Sequence, residues 1–523
     1  MKKIFALITV ILLSSVIAAA DSPSHTCYEV FVYSFFDTDG DGIGDLNGVN
    51  RKLDYICGEE NGLGCDMIWL MPVFPSPTYH KYDVTDYEAV DPQYGSLEDM
   101  DLLIKACHER GVRLILDLPL NHTSISHPWF EAAADYLSTL KEGREADNSA
   151  CPFLDYYNFS REMKEGYAAL EGTPFFYEAR FWEGMPDLNL DHEEVRREIE
   201  EIVSFWLGRG VDGFRLDAVT SYYSESRQKS IDFVAWLTAF AKEKDPDCYL
   251  VGEAWTDQDS YLPFYASGID SMFDFAFAGQ EGVIAKVTKS NKPAAWFVEK
   301  MAEEEESIHK YGKPATNAPF YTNHDMARSA GYYPADSGAR TKFALALNLL
   351  MPGNAFLYYG EELGMNGSGK DENKRAPMNW GEEAGMCSGP PGMDEIAMMY
   401  PSYEEQKKDA NSIYSVVRDM IGIRRRYPAI ASGQTHPVPE ISGGKGVTAF
   451  IRTMDGEQSV LVVMNASPES QTVDLQMEDY PVKESALTLT PYAIAIIGEG
   501  EEDRTMINEG CVLPEKKTGR RRS

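Results

Sequence analysis

Short apolar runs, rich in β-branched and aromatic residues, recur along this chain and alternate with longer amphipathic stretches. The runs with the length of a buried strand are 28–35, 67–71, 112–118, 211–216, 249–251, 318–321 and 355–359, and a shorter run with acidic neighbours is 269–275. Helical patterns lie between them, as at 97–110, which a glycine follows, and at 193–210. The alternation predicts an α/β fold in which a parallel sheet and its crossover helices close into a (β/α)8 TIM barrel.

Polar side chains cluster just after several of these runs. They are Asp117, Asn121, His122, Asp217, Glu253, His324 and Asp325. In a barrel of this kind, the loops after the carboxyl ends of the strands build the active site. The sequence therefore predicts that these side chains meet at one end of the barrel.

The domain organisation follows from where the alternation lapses. We expect residues 21–120 and 180–431 to form the barrel, and the aromatic and acidic stretch 121–179 to form a lobe inserted after the third strand. Short alternating strands at 432–498 predict a C-terminal antiparallel β-sandwich. The tail at 499–523 is acidic and then basic, and we expect it to be unstructured.

The first twenty residues contain two lysines, an apolar run and three closing alanines. This pattern is typical of a secretory signal peptide over residues 1–20. The alternative is a membrane anchor, for which the run is short. We therefore expect a secreted, extracellular protein whose mature form has no membrane partner.

Eight cysteines are too few to be the main scaffold of a chain of 523 residues. Cys57 and Cys65 flank a glycine-rich loop. Their spacing fits either a disulfide or two buried free thiols, because connectivity cannot be read from sequence.

The formal net charge is −35. Nucleic acid and anionic membranes are poor partners for such a chain because both would be repelled, whereas a neutral sugar polymer would not. The charge also keeps a surface solvated, and we expect a monomer.

Two carboxylates stand at neighbouring strand ends in a pattern that suits glycosidic bond cleavage. Hydrolysis with retention of configuration needs an ionised carboxylate as nucleophile and a protonated one to assist the leaving oxygen. Arg215 lies two residues before Asp217, so both side chains point the same way and the guanidinium favours the ionised carboxylate. Trp255 follows Glu253 closely and could help to raise the pKa of that acid. A third group, His324-Asp325, could hold sugar hydroxyls. A single acidic residue after an apolar run is more often structural, and it is the joint order of the motifs that favours catalysis.

These segments resemble the α-amylase family of glycoside hydrolases, glycoside hydrolase family 13. The family signatures appear in order as DLPLNH at 117–122, GFRLD at 213–217, GEAW at 252–255 and NHD at 323–325, and the resemblance spans about residues 28 to 498. It implies that Asp217 is the nucleophile, Glu253 the acid/base and Asp325 the transition-state stabiliser. Asp117, His122, Arg215 and His324 would bind the sugar or its neighbours. Tyr82 would stack beside the cleaved sugar, with a packing tyrosine as the alternative.

The resemblance also indicates a substrate. The segment MPDLN at 185–189 is similar to an additional motif of neopullulanase-like members, and places the chain between these and oligo-1,6-glucosidase-like members. It favours α-1,4-glucans such as starch and maltodextrins. Tyr79 stands where exo-acting α-glucosidases of the family carry an Asp, which favours endo cleavage. An exo-acting α-glucosidase, a maltogenic or neopullulanase-type hydrolase and a transglycosylase stay open as alternatives. A non-catalytic binding protein is disfavoured because all three carboxylates are present.

Carboxylates alternate with glycines in the loop that begins at Asp37. Asp37, Asp39, Asp41 and Asp45 offer hard oxygen ligands, which indicates one structural Ca²⁺. The loop is not a full EF-hand, because Gly48 stands where a bidentate Glu belongs. The family resemblance supports this site and implies that Ile43 contributes its carbonyl; a solvated turn is the alternative. Thr220 and Ser221 replace the family's Lys-His pair, which puts a second family calcium site at Asn121 in doubt.

Overall fold

The computed structural model describes residues 25–140, 144–312, 314–334, 336–382, 384–441, 444–456, 459–475, 486–499 and 504–509. The expected signal peptide at 1–20 and the end of the tail beyond 509 lie outside the described residues. Within the described ranges, no helix combines the length and the apolar character that crossing a membrane requires.

Eight parallel strands form the barrel. Strands are numbered β1 to β18 along the chain, and the barrel strands are β1 (Thr26–Val30), β2 (Met67–Leu70), β3 (Arg113–Leu118), β7 (Gly213–Leu216), β8 (Tyr249–Gly252), β9 (Ser271–Phe273), β10 (Thr316–Ala318) and β11 (Ala355–Tyr358). Successive strands are neighbours from β1 to β10, and β11 pairs with β1. An isolated parallel bridge between Phe320 and Phe356 closes the ring. The predicted TIM barrel is confirmed.

Two strands have other bounds than the sequence predicts. The run at 28–35 stays a strand only to Val30, after which Val32–Ser34 form a 3-10 turn. The run predicted at 318–321 forms its strand earlier, at Thr316–Ala318. Pro319 has no N–H to donate to a ladder, which explains why the regular strand ends before it.

Helices lie in the connections between the barrel strands and in the segment inserted after β3. They are α1 (Leu46–Arg51), α2 (Leu53–Cys57), α3 (Leu97–His108), α4 (Pro128–Thr139), α5 (Glu193–Arg209), α6 (Arg227–Lys244), α7 (Gln258–Tyr261), α8 (Val283–Thr288), α9 (Ala294–His309), α10 (Ala339–Leu350), α11 (Asp371–Lys374), α12 (Tyr403–Gln406), α13 (Ile413–Arg426) and α14 (Pro428–Ser432). Local sequence sets their ends. Ser96 and Asp99 form a capping box at the start of α3, and Gly210 adopts the left-handed conformation that ends α5.

The segment inserted after β3 contains α4 and a small antiparallel sheet. Its strands are β4 (Phe159–Ser160), β5 (Tyr167–Ala169) and β6 (Phe176–Glu178). Backbone bridges join His122 to Asp187 and Tyr157 to Leu188, so the pairing continues past residue 179. Because His122 follows β3, these bridges hold the lobe beside the carboxyl ends of the barrel strands.

The C-terminal part forms antiparallel sheets, as predicted. One sheet contains β12 (Gln434–Pro437), β13 (Val447–Thr453), β14 (Val460–Asn465), β17 (Ile494–Gly498) and β18 (Thr505–Ile507), and the other contains β15 (Gln471–Asp474) and β16 (Ala486–Leu489). The expectation of an unstructured tail from 499 is wrong for β18. Ile507 is buried and pairs with Ile494, so this piece of the tail has apolar surface to cover.

Cys57 and Cys65 do not form a disulfide, which was one of the two interpretations of their spacing. Both are free thiols, as are the other cysteines among the described residues. Cys65 is 1% exposed and packs in the barrel core. Burial raises the pKa of both thiols, which makes them unreactive hydrophobic side chains.

A buried ion pair joins the barrel to the β-domain. Arg452 on β13 donates to Glu305 on α9 at 2.8 Å, and both side chains are buried. Arg452 also donates to the backbone carbonyls of Ala429 and Gly433, at 3.0 and 2.5 Å.

We expect Arg452→Met to lower the free energy of unfolding by about 3–5 kcal/mol, because it leaves the Glu305 carboxylate buried without its partner. Denaturant unfolding checks this. The double variant R452M/E305L should lose less than the single variant, since no charge remains to be desolvated. A loss below about 1 kcal/mol for the single variant would show that the pair does not couple the domains.

Candidate active site

A cleft of about 470 Å³ opens at the carboxyl ends of the barrel strands, between the barrel and the lobe. The predicted residues that line it are Tyr82, His122, Asp217, Glu253 and Asp325. Asp117, Arg215 and His324 are fully buried and contact these lining residues from behind. All eight side chains that were predicted to catalyse or to bind sugar are thus brought together.

Arg215 connects the acidic side chains of the site. Its Nη1 lies 2.8 Å from Asp117 Oδ1 and 2.7 Å from Asp217 Oδ1, and its Nη2 lies 2.8 Å from Glu253 Oε2. The barrel register produces this arrangement, because Asp117 on β3 is the direct partner of Arg215 on β7. The guanidinium is fully buried; burial opposes its charge, but these carboxylates raise its pKa well above the ordinary value.

The surroundings of Glu253 favour its protonated form. Burial raises the pKa of its carboxyl above the ordinary value, against the opposing effect of Arg215, and the charge on Asp217 raises it further. Its Oε2 also accepts a hydrogen bond from Ala218 N at 3.3 Å, so Glu253 is tied to the residue after Asp217. Ala218 has φ of 41°, a left-handed conformation that is uncommon outside glycine and that turns the chain sharply after Asp217.

Asp325 lies between two cationic groups. His324 Nε2 is 3.1 Å from its Oδ2, and Arg375 Nη2 donates to its Oδ1 at 2.8 Å. Burial would raise the pKa of Asp325, but His324 and Arg375 lower it well below the ordinary range. These two groups favour the ionised form of the carboxylate, which lines the same cleft as Asp217 and Glu253.

His324 carries a positive charge under physiological conditions. Its Nδ1 lies 2.7 Å from Glu29 Oε1, within β1. Burial alone would lower the pKa of the imidazole, but Asp325 and Glu29 together raise it to about 10. Both ring nitrogens then donate, one to each carboxylate.

Tyr82 is held against His324 by stacking and hydrogen bonding. The two rings are 5.6 Å apart and 17° from parallel, and the Tyr82 hydroxyl lies 3.0 Å from Asp117 Oδ2 and 2.8 Å from His324 Nε2. His122 is fixed through its Nε2, 3.1 Å from the carbonyl of Tyr82, and burial lowers the pKa of its ring, which favours the neutral form. Both side chains are thus oriented before any sugar binds.

Several lining residues carry no signal in the sequence analysis. They are His80, Phe181, Asp371 and Arg375, and behind them Glu29. Arg375 also lies 3.4 Å from the Tyr79 hydroxyl, which places Tyr79 behind the guanidinium that holds Asp325. Glu29 could have been found, because a carboxylate inside an apolar strand needs a partner. Met185, from the predicted 185–189 motif, lines the cleft as well.

The acidic loop brings together only part of the predicted ligand set. One carboxylate oxygen each of Asp37, Asp39 and Asp45 lies within 4.8 Å of the others. Asp41 is outside this group, and its Oδ1 accepts a hydrogen bond from Ile43 N at 2.7 Å. Three converging carboxylates suit a hard cation such as Ca²⁺. Asp45 also caps α1 through Gly48 N, so the group is anchored to the barrel.

The family's second calcium site, which the sequence puts in doubt, would lie where the inserted lobe meets the barrel. The guanidinium of Arg180 lies in this region. Arg180 Nε lies 2.6 Å from Glu178 Oε1 and 4.0 Å from Asp187 Oδ2. Asn121 instead donates to the backbone carbonyl of Asp217 at 3.0 Å. Arg180 thus already supplies positive charge to this acidic cluster.

Comparisons with known proteins agree with this geometry. The family model described as the alpha amylase catalytic domain matches residues 29–433. The chain belongs to the α-amylase family of glycoside hydrolases. A C-terminal immunoglobulin-like domain model, that of D-apionate lactonase, matches residues 445–497 of this family member.

The α-amylase relatives include enzymes of different names. Alpha-amylase 3 of Dictyoglomus thermophilum is 34% identical over 90% of this chain and 92% of its own length. The solved structure of Eubacterium rectale Amy13B has 47% identity and a TM-score of 0.87, over 92% of this chain and 96% of that one. Glucan 1,6-alpha-glucosidase of Streptococcus pneumoniae is 29% identical over 86% of this chain and 92% of its length. The chain therefore shares its family with enzymes that are named for different activities.

The raised pKa of His324 has a consequence for stability. Its ordinary pKa is 6.5 and its folded pKa is about 10, so the stabilising contribution is complete below pH 6.5 and is lost as the pH rises towards 10. We expect the stability advantage of the wild type over His324→Gln to shrink over that interval, measured by denaturant unfolding at several pH values. Parallel curves for the two proteins would contradict a charged His324.

Proposed function

We propose that this protein is a secreted retaining α-glucan hydrolase that cleaves internal α-1,4-glucosidic bonds of starch and maltodextrins. The observation that carries the proposal is the single guanidinium of Arg215 bound to both Asp217 and Glu253. Retaining enzymes need their two carboxyl groups close together, so that one can attack the sugar while the other serves its leaving oxygen.

In the first step, a carboxylate oxygen of Asp217 attacks the anomeric carbon as the glycosidic C–O bond breaks. Glu253 gives its proton to the departing oxygen, and a covalent glycosyl ester with Asp217 results. In the second step, Glu253 takes a proton from water, the oxygen of which attacks the anomeric carbon and releases Asp217. Glu253 is protonated again, and the configuration is retained.

The ionised Asp325 stabilises the positive charge that develops on the sugar ring between these states. Arg375 and His324 hold its carboxylate in place before the reaction, so little reorganisation is needed when the charge appears. Tyr82 offers its ring to the face of the sugar, and the ring of His122 lines the cleft beside it.

Endo action is supported by Tyr79. An exo-acting glucosidase needs an acidic group that binds the end of the glucan, and Tyr79 instead accepts a hydrogen bond from Arg375 at 3.4 Å. Because one relative is named glucan 1,6-alpha-glucosidase, an exo-acting α-glucosidase is the second candidate. A transglycosylase would share the same intermediate, with a sugar hydroxyl in place of water.

A time course of soluble starch and maltotetraose digestion separates these candidates. We expect a mixture of oligosaccharides in the α-anomeric form at early times. Glucose or maltose alone from the outset would contradict endo cleavage, and a β-anomer would contradict retention.

Asp217→Asn tests the nucleophile. We expect turnover to fall by more than about a thousandfold, because the amide cannot form the glycosyl ester. The far-UV circular dichroism spectrum should be unchanged, since Arg215 keeps Asp117 and Glu253 as partners. The control Asp419→Asn removes an exposed carboxylate on α13 that pairs with Arg418, and it should leave turnover unchanged. Activity of D217N near that of the control would overturn the assignment.

We also propose that Asp37, Asp39 and Asp45 hold a structural Ca²⁺. The ion would bind the loop to the start of α1 and would take no part in the chemistry. Chelation should lower the Tm of the wild type by several degrees, about what a loss of 1–2 kcal/mol gives in a large chain. Asp39→Asn should show a smaller shift on chelation. An unchanged wild-type Tm would contradict the site.

A further inference from the structure

A buried lysine lies between two residues that line the catalytic cleft. His80 and Tyr82 both line the cleft, whereas Lys81 between them is only 1% exposed. A lysine is almost never fully buried unless its ammonium is paired. The side chain of Lys81 therefore runs into the protein and not towards the substrate.

The backbone of Lys81 has an unusual conformation. Its φ is 64°, in the left-handed region, where the Cβ of an L-residue crowds the backbone and glycine is the usual occupant. A residue with a side chain keeps this conformation only where the surrounding contacts hold it there, and the side chain of Lys81 makes such contacts.

The ammonium of Lys81 is held by a turn later in the chain. Its Nζ lies 2.7 Å from Asp91 Oδ2 and donates to Gln93 Oε1 at 2.7 Å. It also lies 5.4 Å from the centroid of the Tyr94 ring. Asp91 is buried and fixed in turn, because its N donates to the carbonyl of Val73 at 2.8 Å and its Oδ1 accepts from Gln93 N at 2.9 Å. Lys81 is thus anchored to a turn that is bound to the chain after β2.

The cleft loop, defined as residues 76–83, is connected to this turn at two points. Ser76 N donates to Asp91 Oδ2 at 3.2 Å, so the start of the loop and the Lys81 ammonium meet the same carboxylate. Within the loop, Asp83 Oδ1 accepts from Ser76 Oγ at 2.7 Å. The bonds to Asp83 give the loop its shape, and the Lys81 side chain fixes its place against the barrel.

The place of the cleft loop determines where the backbone of Tyr82 lies. The hydroxyl of Tyr82 is fixed by Asp117 and His324, and its ring is stacked on His324. Both ends of the residue must be held for that stack to persist. Lys81, as the preceding residue, holds the backbone end.

We propose that Lys81 is a positioning residue, whose anchored side chain holds the cleft loop so that the Tyr82 ring is presented to the sugar. This assignment rests on the proposed function. Lys81 does not touch the substrate, because its side chain is buried, and it acts through Tyr82. Its replacement should therefore impair turnover only as far as Tyr82 contributes to it.

A double-mutant cycle tests this assignment. Lys81→Met removes the ammonium and keeps the apolar stem, and Tyr82→Ala removes the ring that Lys81 positions. We expect K81M to lower kcat/KM for maltotetraose by about tenfold or more when Tyr82 is present, because a displacement of about 1 Å at a reacting sugar is costly. In the Y82A background, the same substitution should lower kcat/KM by less than about threefold.

The cycle can also be closed by binding. Where turnover of Y82A falls below detection, the Kd for maltotetraose is measured by calorimetry on proteins that carry Asp217→Asn. The loss caused by K81M should again be confined to proteins that keep Tyr82.

A second variant separates positioning from stability. Lys81→Met leaves the buried Asp91 carboxylate without its partner, which destabilises the fold. The double variant K81M/D91N removes both charges, so its Tm should lie closer to that of the wild type. Its kcat/KM should stay low, because the anchor is still missing. Recovery of kcat/KM together with Tm would overturn the assignment, since Lys81 would then act only through stability.

The matched control is Lys242→Met, at another lysine–aspartate pair. Lys242 Nζ lies 2.9 Å from Asp270 Oδ1, and Asp270 directly precedes β9, at the opposite end of the barrel from the cleft. K242M should leave kcat/KM unchanged in both backgrounds.

The remaining outcomes are distinguishable. An equal loss in both backgrounds would mean that Lys81 supports the fold as a whole, and an unchanged kcat/KM for K81M would mean that the loop needs no anchor. Either result overturns the assignment. A wild-type protein that cleaves no α-glucan would instead overturn the proposed function, and this inference with it.

Discussion

The site depends on one buried positive charge. The Arg215 guanidinium has no contact with solvent, and removing such a group from water is tolerable only when charged partners replace the water. Asp117, Asp217 and Glu253 are those partners. Burial raises the pKa of Glu253 and the charge on Asp217 raises it further, against the opposing effect of the guanidinium.

The barrel supplies the accuracy that this charge arrangement requires. Asp117 and Arg215 are register partners on adjacent strands, and Arg215 is in turn the partner of Val251, two residues before Glu253. A slip by one residue in either pairing would turn a charged side chain towards the apolar core. The strand register and the ionic contacts therefore stabilise each other. This explains why the charged side chains of the site are oriented without a ligand.

The part of the site that local sequence predicts is the part that lies at strand ends. Asp217 and Glu253 each follow an apolar run, and their order along the chain matches the family signatures. Arg375 was not predicted because it follows α11, far from any strand pattern, and only the closed ring brings it to Asp325. The strand at Thr505–Ile507 was missed for a related reason, since three residues in a polar tail give no periodic signal until Ile494 pairs with them. The ligand group of the acidic loop was predicted from alternation alone, which could not show that the Asp41 carboxylate accepts a hydrogen bond from Ile43 N and lies outside the group.

The ion pair between Asp325 and Arg375 has a second role in the architecture. The ring closes where β10 meets β11, and Pro319 withholds a donor there, so this seam has a weaker hydrogen-bond ladder than its neighbours. Asp325 follows the β10 side of the seam, and Arg375 follows the β11 side. Their contact therefore spans the seam and connects the two ends of the sheet beside the cleft. The same ion pair that orients the Asp325 carboxylate in the cleft thus also connects the two ends of the sheet.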